Sequence, residues 1–372
     1  MPGGSARPHL VHVFPGFGVG GSQVRLAAIA RGLGRDFSHT IISLSGCFDA
    51  APLLDRDLDV TFAPPLEPTR GPLARLALYR RRLDELKPDL LVTYNWGSMD
   101  LVVANLGRST PHLHVEDGFG PEEANGQFRR RVWMRRLALR RSQLAVPSRT
   151  LQQIATRIWK LDARRVTWIP NGIAERDSWS TSMEGLNLGL PPGLPIVAWV
   201  GALRPEKNPL RLLRAFAAVK DKAALLIVGD GPERPSLETE IERGGYGSVR
   251  LLGYREDARD FVMQSDILAL SSDTEQMPLA VLEAMDAGLP VVSTDVGDVR
   301  RMVAPTNAPF VTSSETEMAA AVTRLVDDAR LRRTLGEANR LRCRDTYSLD
   351  KMVFAWRVLF ERLIKQPASK GN

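Results

Sequence analysis

The sequence contains few cysteines and no long hydrophobic run. Its two cysteines, Cys47 and Cys343, lie far apart and show no metal-binding spacing, so nothing in the sequence requires an oxidising compartment. No apolar stretch is long enough to cross a bilayer or to form the core of a signal peptide. These absences predict a cytoplasmic protein that has no membrane span.

Acidic residues are scarce in one segment of a chain whose net charge is +7. Between Phe128 and Arg165 only Asp162 opposes a dense run of arginines and lysines. Such a localised basic patch implies an anionic partner surface. From Phe128 to Arg141, apolar residues interleave with the arginines, so we expect this stretch to rest on an anionic membrane. The alternative is a solvated basic face with Trp133 in the core.

Strand and helix signals alternate along the chain, and this pattern predicts an α/β fold with parallel sheets covered by helices. The pattern runs once over residues 1–173 and restarts over residues 196–347. A stretch rich in Gly, Pro and Ser, residues 174–195, separates them and is interpreted as a linker. Residues 348–372 contain a strongly apolar final helix. The sequence therefore predicts two Rossmann-like domains and a helix that packs back on the body.

A glycine-rich loop follows the first predicted strand. Its Gly16-x-Gly18-x-x-Gly21 spacing matches the dinucleotide fingerprint in a strand-to-helix context. However, the next strand ends in Ser43-Leu44-Ser45, with no carboxylate for a ribose. We therefore expect no NAD site, and expect Gly20 and Gly21 to line a phosphate or sugar.

The stretch from Ser271 to Met285 carries the main chemical signal. It reads as a strand end, a polar loop and a helix that begins near Pro278. A helix N-terminus favours a phosphate. Glu275 before this terminus and Glu283 one turn inside it flank the anion site. One carboxylate is positioned to hold ribose hydroxyls, and the other to reach a sugar whose anomeric bond is breaking.

Further polar residues follow other strands of the second half. Arg204 and Lys207 lie in one loop and are suited to neutralising a diphosphate. Tyr254 follows a strand and is a candidate for lining a nucleotide base. The backbone of Gly229 and Asp230 is expected to approach the nucleotide closely. Because ligands of parallel sheets bind beyond the carboxyl ends of the strands, these residues are predicted to share one site.

Several motifs together resemble the retaining glycosyltransferases of family 4, which have the GT-B fold. The matching motifs are Gly201-x-x-Arg204-x-x-Lys207-Asn208, Val228-Gly229-Asp230-Gly231-Pro232, Leu252-Gly253-Tyr254, Glu275-x7-Glu283-Ala284, Gly288-Leu289-Pro290-Val291-Val292 and Ile169-Pro170-Asn171-Gly172. The resemblance covers nearly the whole chain. It implies two Rossmann-like domains facing each other across a cleft, with the last helix crossing back to the first domain.

The resemblance also implies roles for individual residues. Arg204 and Lys207 would hold the donor diphosphate, and Glu283 would hold the ribose. Glu275 would stabilise the transition state beside the transferred sugar or act as the nucleophile. The donor-binding set expected from the pattern and the resemblance is completed by Met277, Pro278, Leu279 and Ala280. The resemblance also implies that no metal is needed, and no other cofactor is expected. Asp55-x-Asp57 and Asp57-x-Asp59 match a metal-binding pattern of other glycosyltransferases but lie in the first half, away from the donor loops.

The sequence departs from the family pattern at two places. Gln276 stands where family members usually carry Gly, which makes a different sugar preference an open possibility. The family also places a His at the end of a strand in the first domain. Here His114, Glu116 and Asp117 are the candidates, and we expect Glu116 and Asp117 to line the cleft.

The resemblance predicts transfer of a sugar from a nucleotide-diphosphate sugar to an acceptor hydroxyl. The basic segment favours a lipid or lipid-linked glycan as acceptor, as in the synthesis of a cell-surface polysaccharide or glycolipid. Two alternatives remain: a non-catalytic binder of nucleic acid or membrane, and a sugar-nucleotide epimerase of the same fold. A nucleic-acid partner is not expected, because it would leave Glu275, Glu283, Arg204 and Lys207 without a role.

Overall fold

The computed structural model describes residues 7–66, 70–123, 126–178, 180–184 and 188–365. The chain divides into two compact units. The first unit comprises Met1–Asn171 together with Asp350–Asn372, and the second comprises Gly172–Leu349. The final segment of the chain is therefore grouped with the first unit.

The first unit is built on a parallel sheet of seven strands in the order β3-β2-β1-β4-β5-β6-β7. These strands are β1 (His9–Phe14), β2 (Ser38–Ser43), β3 (Val60–Phe62), β4 (Leu90–Tyr94), β5 (His112–Val115), β6 (Gln143–Val146) and β7 (Val166–Trp168). Most of their residues are buried, as expected for a sheet that is covered on both faces.

The helices of the first unit alternate with its strands. They are α1 (Gly21–Leu33), α2 (Pro72–Leu86), α3 (Met99–Asn105), α4 (Arg129–Ala138) and α5 (Arg149–Arg157). The chain order of strand, helix and strand is the predicted one. Two separate clusters of buried apolar residues lie in this unit, one including Trp159 and the other including Tyr79.

The second unit repeats the design with a parallel sheet of six strands in the order β10-β9-β8-β11-β12-β13. These strands are β8 (Ile196–Val200), β9 (Ala224–Val228), β10 (Val249–Gly253), β11 (Ile267–Leu270), β12 (Val291–Thr294) and β13 (Val311–Thr312). β11 is central to this sheet, and all four of its residues are buried.

Eight further helices lie in the described part of the chain. Seven belong to the second unit: α6 (Pro209–Phe216), α7 (Arg234–Gly244), α8 (Ala258–Met263), α9 (Leu279–Asp286), α10 (Val299–Met302), α11 (Glu315–Asp327) and α12 (Ala329–Thr346). The eighth, α13 (Leu349–Lys365), is grouped with the first unit. None of the helices within the described ranges is both long and apolar enough for a bilayer span.

The sequence suggests residues 174–195 as a linker, and the described residues of this segment, 174–178, 180–184 and 188–195, pack on the second unit. Ser180 Oγ donates a hydrogen bond to Asp260 Oδ2 at 2.6 Å, and the Arg250 side chain donates to the carbonyl of Leu188. Met183 and Leu188 contact a buried cluster of the same unit. Hydroxyl and apolar side chains therefore fix much of this segment, although its composition resembles that of a flexible connection.

The prediction that the last helix packs on the first domain is confirmed. In α13, the ring of Phe360 lies 6.2 Å from that of Phe37, and Val353 packs against Gly32 so closely that a Cβ at Gly32 would lie 2.7 Å from it. Trp356 lies under the guanidinium of Arg25. The apolar face of α13 is buried by these contacts.

Candidate functional site

The strand, loop and helix predicted around Ser271 are present as β11, the loop 271–278 and α9. Pro278 has an extended backbone and directly precedes α9, which begins at Leu279. The first N–H groups of a helix have no partner within it, so the amides at the start of α9 form an anion-favouring end. Met277 is buried beneath this end of the helix.

Glu275 and Lys207 form the central ion pair of the second unit. Lys207 Nζ lies 2.6 Å from Glu275 Oε1. The same oxygen accepts a hydrogen bond of 2.9 Å from Ser272 Oγ. Lys207 follows β8 and Glu275 follows β11, and these strands are neighbours in the sheet. The structure therefore brings together two residues that are 68 positions apart in the sequence.

The loop that carries Lys207 is held by the loop that carries Glu275. Ser271 Oγ donates to the carbonyl of Lys207, and the amide of Asp273 donates to the carbonyl of Glu206. Asn208 adopts a left-handed backbone with φ of 43° and caps α6 through its side-chain oxygen. These bonds position the Lys207 ammonium.

Arg204 lies three residues before Lys207 and is exposed. Within the described part of the chain, its guanidinium has no hydrogen-bonding or ionic partner. A charged side chain that is not used by the fold is available to an anionic ligand. Arg204 therefore differs from Lys207 in its availability to a ligand, because the Lys207 ammonium is already paired with the carboxylate of Glu275.

Two glycines keep the loop after β9 close to the loop after β8. Gly229 has φ of 146°, and a Cβ there would lie 1.8 Å from the carbonyl oxygen of Gly201. Gly231 has φ of 156°, and a Cβ there would lie 2.5 Å from the carbonyl oxygen of Leu203. Asp230 between them is exposed and accepts the amide of Gly231. The backbones of the two loops therefore lie against each other, and the close approach of Gly229 and Asp230 to a nucleotide stays a prediction.

Glu283 and Tyr254 occupy contrasting surroundings. Tyr254 is exposed beyond the end of β10. Glu283 is half-buried on α9, and burial raises the pKa of its carboxyl, while the nearby Arg259 and Arg176 act in the opposite direction. Ala280 precedes it on the first turn of the same helix.

In the first unit, Asp117 is engaged by a buried arginine. Arg25 of α1 donates to both carboxylate oxygens of Asp117, at 2.5 and 2.8 Å, and also to Asn171 Oδ1 at 3.2 Å. The amide of Asp117 donates to Asn95 Oδ1. Asp117 keeps 19% side-chain exposure. It is the most accessible of the three predicted residues after β5.

Glu116 and His114 do not line an open surface, which differs from the expectation for Glu116. Both side chains have 0% exposure, and Glu116 Oε2 lies 3.3 Å from Arg135 Nε and 3.7 Å from His114 Nε2. Arg135 is itself fully buried and pairs with Glu123 as well. The alternation of side chains along a strand turns Glu116 inward, so its charge is neutralised inside the unit.

Gly20 and Gly21 form the start of α1. Gly20 is the residue before the helix, and its carbonyl accepts the amides of Gln23 and Val24. Gln23 Nε2 donates back to the carbonyl of Gly16. Hydrogen bonds to the first turn of α1 thus hold the glycine-rich loop in place, and Gly21 is exposed.

Two family profiles match this chain. The profile described as Glycosyl transferase 4-like domain matches residues 20–172, and the one described as Glycosyl transferases group 1 matches residues 194–328. Together these ranges include the loops described above in both units. The chain belongs to the family 4-like glycosyltransferases.

Sequence relatives of this glycosyltransferase act with different sugars. A GDP-mannose-dependent alpha-mannosyltransferase of Mycolicibacterium smegmatis is 32% identical over 54% of the chain, and the match spans 52% of that protein. A UDP-Gal:alpha-D-GlcNAc-diphosphoundecaprenol alpha-1,3-galactosyltransferase of Escherichia coli is 26% identical over 67% of the chain and 70% of that protein. The first match therefore spans only about half of the relative's length.

Solved structures show the same fold at low identity. The structure of Anabaena Alr3699/HepE in complex with UDP-glucose aligns with a TM-score of 0.81 and 18% identity, covering 95% of this chain and 99% of that one. WaaG, a glycosyltransferase involved in lipopolysaccharide biosynthesis, aligns with a TM-score of 0.70 and 17% identity, covering 97% and 100%. The glycosyltransferase thus has the predicted GT-B fold.

Sequence reasoning missed one residue that supports Glu275. Gly297, after β12, has φ of 54°, and a Cβ there would lie 2.5 Å from the carbonyl oxygens of both Glu275 and Gln276. The amide of Asp298 donates to the carbonyl of Gln276. Gln276 is buried, so it does not extend freely from the loop. The available signal was a single glycine in the loop that follows β12.

No metal site is visible in the described residues of the glycosyltransferase. Within those ranges, no group of three or more His, Cys, Asp or Glu side chains converges as a metal ion requires. Asp55, part of the Asp-x-Asp pattern, binds the guanidinium of Arg31 at 2.7 and 2.9 Å.

Proposed function

We propose that this protein is a retaining, metal-independent hexosyltransferase. It moves a sugar from a nucleotide-diphosphate sugar to a hydroxyl of a lipid or lipid-linked glycan in the synthesis of a cell-surface polysaccharide or glycolipid. The observation that carries the proposal is the 2.6 Å pair between Lys207 and Glu275 beside the start of α9. In this pair a cation and a carboxylate lie side by side beyond the ends of two neighbouring strands, which suits a pyrophosphate joined to a sugar.

In this proposal, cationic side chains and helix amides hold the donor. Arg204 and Lys207 neutralise the diphosphate, and the amides of Leu279 and Ala280 at the start of α9 donate hydrogen bonds to its oxygens. Glu283 holds the ribose, with Tyr254 and the loop of Gly229 and Asp230 beside the nucleotide. A leaving diphosphate neutralised in this way has no requirement for a metal ion.

Glu275 lies beside the transferred sugar in the same proposal. As the anomeric bond breaks, positive charge develops on the sugar, and an ionised carboxylate stabilises it. Ser272 and Lys207 fix the orientation of this carboxylate through one oxygen. Asp117 is the candidate on the first unit, since His114 and Glu116 are enclosed by the fold.

Nucleotide release from a panel of UDP, GDP and ADP sugars tests the proposal. We expect release with at least one donor, and expect it to be lost in Glu275→Ala and Lys207→Ala while the exposed Glu337→Gln on α12 retains it. Release that survives both substitutions would show that the site is misplaced. Activity that persists after chelation by EDTA is expected, and restoration only by a divalent cation would contradict metal independence.

The exposed apolar side chains of α4 support a membrane-bound acceptor. The buried side of α4 carries Arg135, whereas its exposed side carries Trp133, Met134 and Leu137 among arginines. Trp133 is 59% exposed, so the alternative interpretation, in which Trp133 lies in the core, is wrong. Apolar side chains among exposed cations suit an anionic lipid surface, where each basic residue near the surface contributes about 1 kcal/mol.

Vesicle co-sedimentation tests this surface. We expect binding to phosphatidylglycerol-containing vesicles, release at high salt, and weakened binding for Trp133→Ser with Leu137→Ser. Leu341→Ser, at an exposed apolar residue of α12, is the matched control and should bind like the unaltered protein. Equal binding to neutral vesicles would overturn the electrostatic account.

A further inference from the structure

The side chain of Asp117 is held by two parallel hydrogen bonds from one arginine of α1. Arg25 Nη1 lies 2.5 Å from Asp117 Oδ1, and Arg25 Nη2 lies 2.8 Å from Asp117 Oδ2. Arg25 is buried, and Nη1 also donates to Asn171 Oδ1 at 3.2 Å. Because both carboxylate oxygens are bound by one planar guanidinium, the orientation of the carboxylate is fixed as well as its position.

The backbone of Asp117 is held separately by Asn95, which directly follows β4. Asn95 Oδ1 accepts a hydrogen bond of 2.8 Å from the amide of Asp117, and the Asn95 amide donates to the carbonyl of Val115 at the end of β5. Asn95 has φ of 56° and ψ of 175°, a conformation that residues other than glycine rarely adopt. Such a backbone persists only where surrounding contacts require it. Asp117 is therefore fixed from two elements, α1 and the loop after β4.

The last helix, α13, contacts the arginine that binds Asp117. Arg25 Cζ lies 5.7 Å from the centre of the Trp356 ring, which is within the range of a cation–π interaction. Trp356 is buried, and its ring lies 5.4 Å from that of Phe360 one turn later. The close contact between Val353 and Gly32 holds α13 on the same helix that carries Arg25. The aromatic face beneath the guanidinium thus comes from the C-terminal end of the chain.

The adjacent residue, Glu116, forms a different kind of ion pair. Glu116 and its partner Arg135 are both completely enclosed, so this pair has no access to a ligand. Arg25 is also buried, but the carboxylate of Asp117 remains partly exposed. An ionised carboxylate offers about four acceptor positions, and the two bonds from Arg25 occupy two of them. Asp117 therefore keeps acceptor capacity that a substrate hydroxyl group can use.

The position of Asp117 in the sheet agrees with a role toward a ligand. Asp117 lies just beyond the carboxyl end of β5, and ligands of open parallel sheets bind at this edge. A carboxylate in a loop samples several orientations unless its neighbours restrict it. Because a displacement of about 1 Å in a reacting group costs up to about 100-fold in rate, the restriction imposed by Arg25 matters for catalysis.

We propose that Arg25 is a positioning residue of the transfer reaction, and that α13 completes this arrangement through Trp356. Arg25 orients the Asp117 carboxylate toward a substrate hydroxyl group, and the Trp356 ring keeps the guanidinium in place. The proposal rests on the proposed function, in which Asp117 is the candidate residue of the first unit.

Donor turnover and nucleotide titration on the full chain test the role of Arg25. Arg25→Lys keeps the positive charge but cannot form the two parallel hydrogen bonds. We expect kcat to fall about 10- to 100-fold while the Kd of the nucleotide changes less than about twofold. Arg31→Lys is the matched control, because exposed Arg31 lies on the same helix and binds both oxygens of a different carboxylate, Asp55. This control should keep the kcat of the unaltered protein.

A double-mutant cycle distinguishes positioning from a structural role. If Arg25 acts by orienting Asp117, Arg25→Lys should lower kcat little further in an Asp117→Asn protein, since the group that it orients is already lost. A purely structural contribution lowers kcat by the same factor in both backgrounds. Losses that multiply in the double variant would therefore overturn the positioning role.

Two substitutions of Trp356 test the contribution of α13 and leave both partners of the ion pair unchanged. Trp356 Nε1 has no hydrogen-bond partner within the described ranges, so an indole N–H is not required there. Trp356→Phe keeps an aromatic face and should retain kcat within about threefold, whereas Trp356→Leu removes it and should lower kcat about tenfold. Equal kcat values for the two variants would refute the role of α13, and this comparison remains decisive if Arg25→Lys does not fold.

Turnover by the unaltered protein separates this proposal from the proposed function. If the unaltered protein releases nucleotide from no donor, the transferase function is refuted, and the positioning role is refuted with it. If release is normal in the unaltered protein and also in folded Asp117→Asn or Arg25→Lys proteins, the positioning role alone is refuted.

Discussion

Lys207 Nζ lies 2.6 Å from Glu275 Oε1, so the cation expected to bind the diphosphate is paired with the carboxylate expected to face the sugar. A donor that binds Lys207 competes with this pair. The pair also orients the Glu275 carboxylate before the donor arrives. In the proposed function, Lys207 and Glu275 contribute to different steps, and substitutions should separate them.

Substitution of each partner should affect different kinetic constants. We expect Lys207→Met to weaken nucleotide binding about 10- to 100-fold, because a hydrogen bond to a charged group contributes about 1.5–3 kcal/mol. Glu275→Gln should lower kcat about 100- to 1,000-fold with little change in nucleotide affinity, because the missing charge acts in the transition state. Nucleotide titration and donor turnover measure the two effects, and equal loss of nucleotide affinity in both variants would contradict this division.

Arg135 should be essential to the stability of the first unit. It is fully buried between Glu116 and Glu123, and its guanidinium lies 4.9 Å from the ring centre of Trp159. Arg135→Met leaves the buried carboxylate of Glu116 without its arginine partner, while Glu123 keeps Arg131. This should reduce the free energy of unfolding by about 3–5 kcal/mol.

The neighbouring Arg136 is the matched control for this experiment. It is exposed, so Arg136→Met should change the free energy of unfolding by no more than about 0.5 kcal/mol. Urea denaturation followed by circular dichroism measures both variants. Similar midpoints for the two variants would show that the Arg135 network contributes little.

The loop after β9 should not tolerate a side chain at Gly229. A Cβ there would overlap the carbonyl oxygen of Gly201, and the φ of 146° disfavours any other residue. We expect Gly229→Ala to cost more than about 3 kcal/mol of unfolding free energy and to impair nucleotide binding. Gly247→Ala is the control, because a Cβ there meets no atom within 4 Å; thermal unfolding that ranks the two variants equally would refute the close approach.

The buried histidines should make the protein sensitive to mild acid. Burial lowers the pKa of His39 to about 4 and that of His112 to about 3, and also lowers the pKa of His12. Below pH 6.5 the unfolded chain takes up protons that the folded chain does not, so the stability that is fully present above pH 6.5 declines as the pH falls.

The expected loss is about 2 kcal/mol per buried histidine between pH 6.5 and pH 5, at 1.36 kcal/mol for each unit of pKa difference. Urea unfolding at several pH values measures it. His112→Asn should flatten this dependence by roughly one histidine's share, although it is less stable at pH 7.5. A free energy of unfolding that does not change between pH 7 and pH 5 would contradict neutral buried imidazoles.

The sequence by itself determined the alternation of strands and helices, and therefore the two Rossmann-like halves. An apolar run such as Ile267–Leu270, followed by a polar loop and Pro278, predicts a strand, a loop and a helix start from local sequence alone, and these elements are present in the fold. Close spacing along the chain was also enough to group Glu275, Glu283 and the start of α9, because these residues belong to one loop and one helix.

Only the tertiary structure decided which charges are paired. Lys207 and Glu275 are far apart in the sequence and meet because the neighbouring strands β8 and β11 end at the same edge of a sheet. Arg25 reaches Asp117 from helix α1. Glu116 and Asp117 are adjacent in the sequence, yet one is enclosed beside Arg135 and the other keeps some exposure. Whether a carboxylate points inward depends on strand direction and on the side chains contributed by other elements, and local sequence does not contain that information.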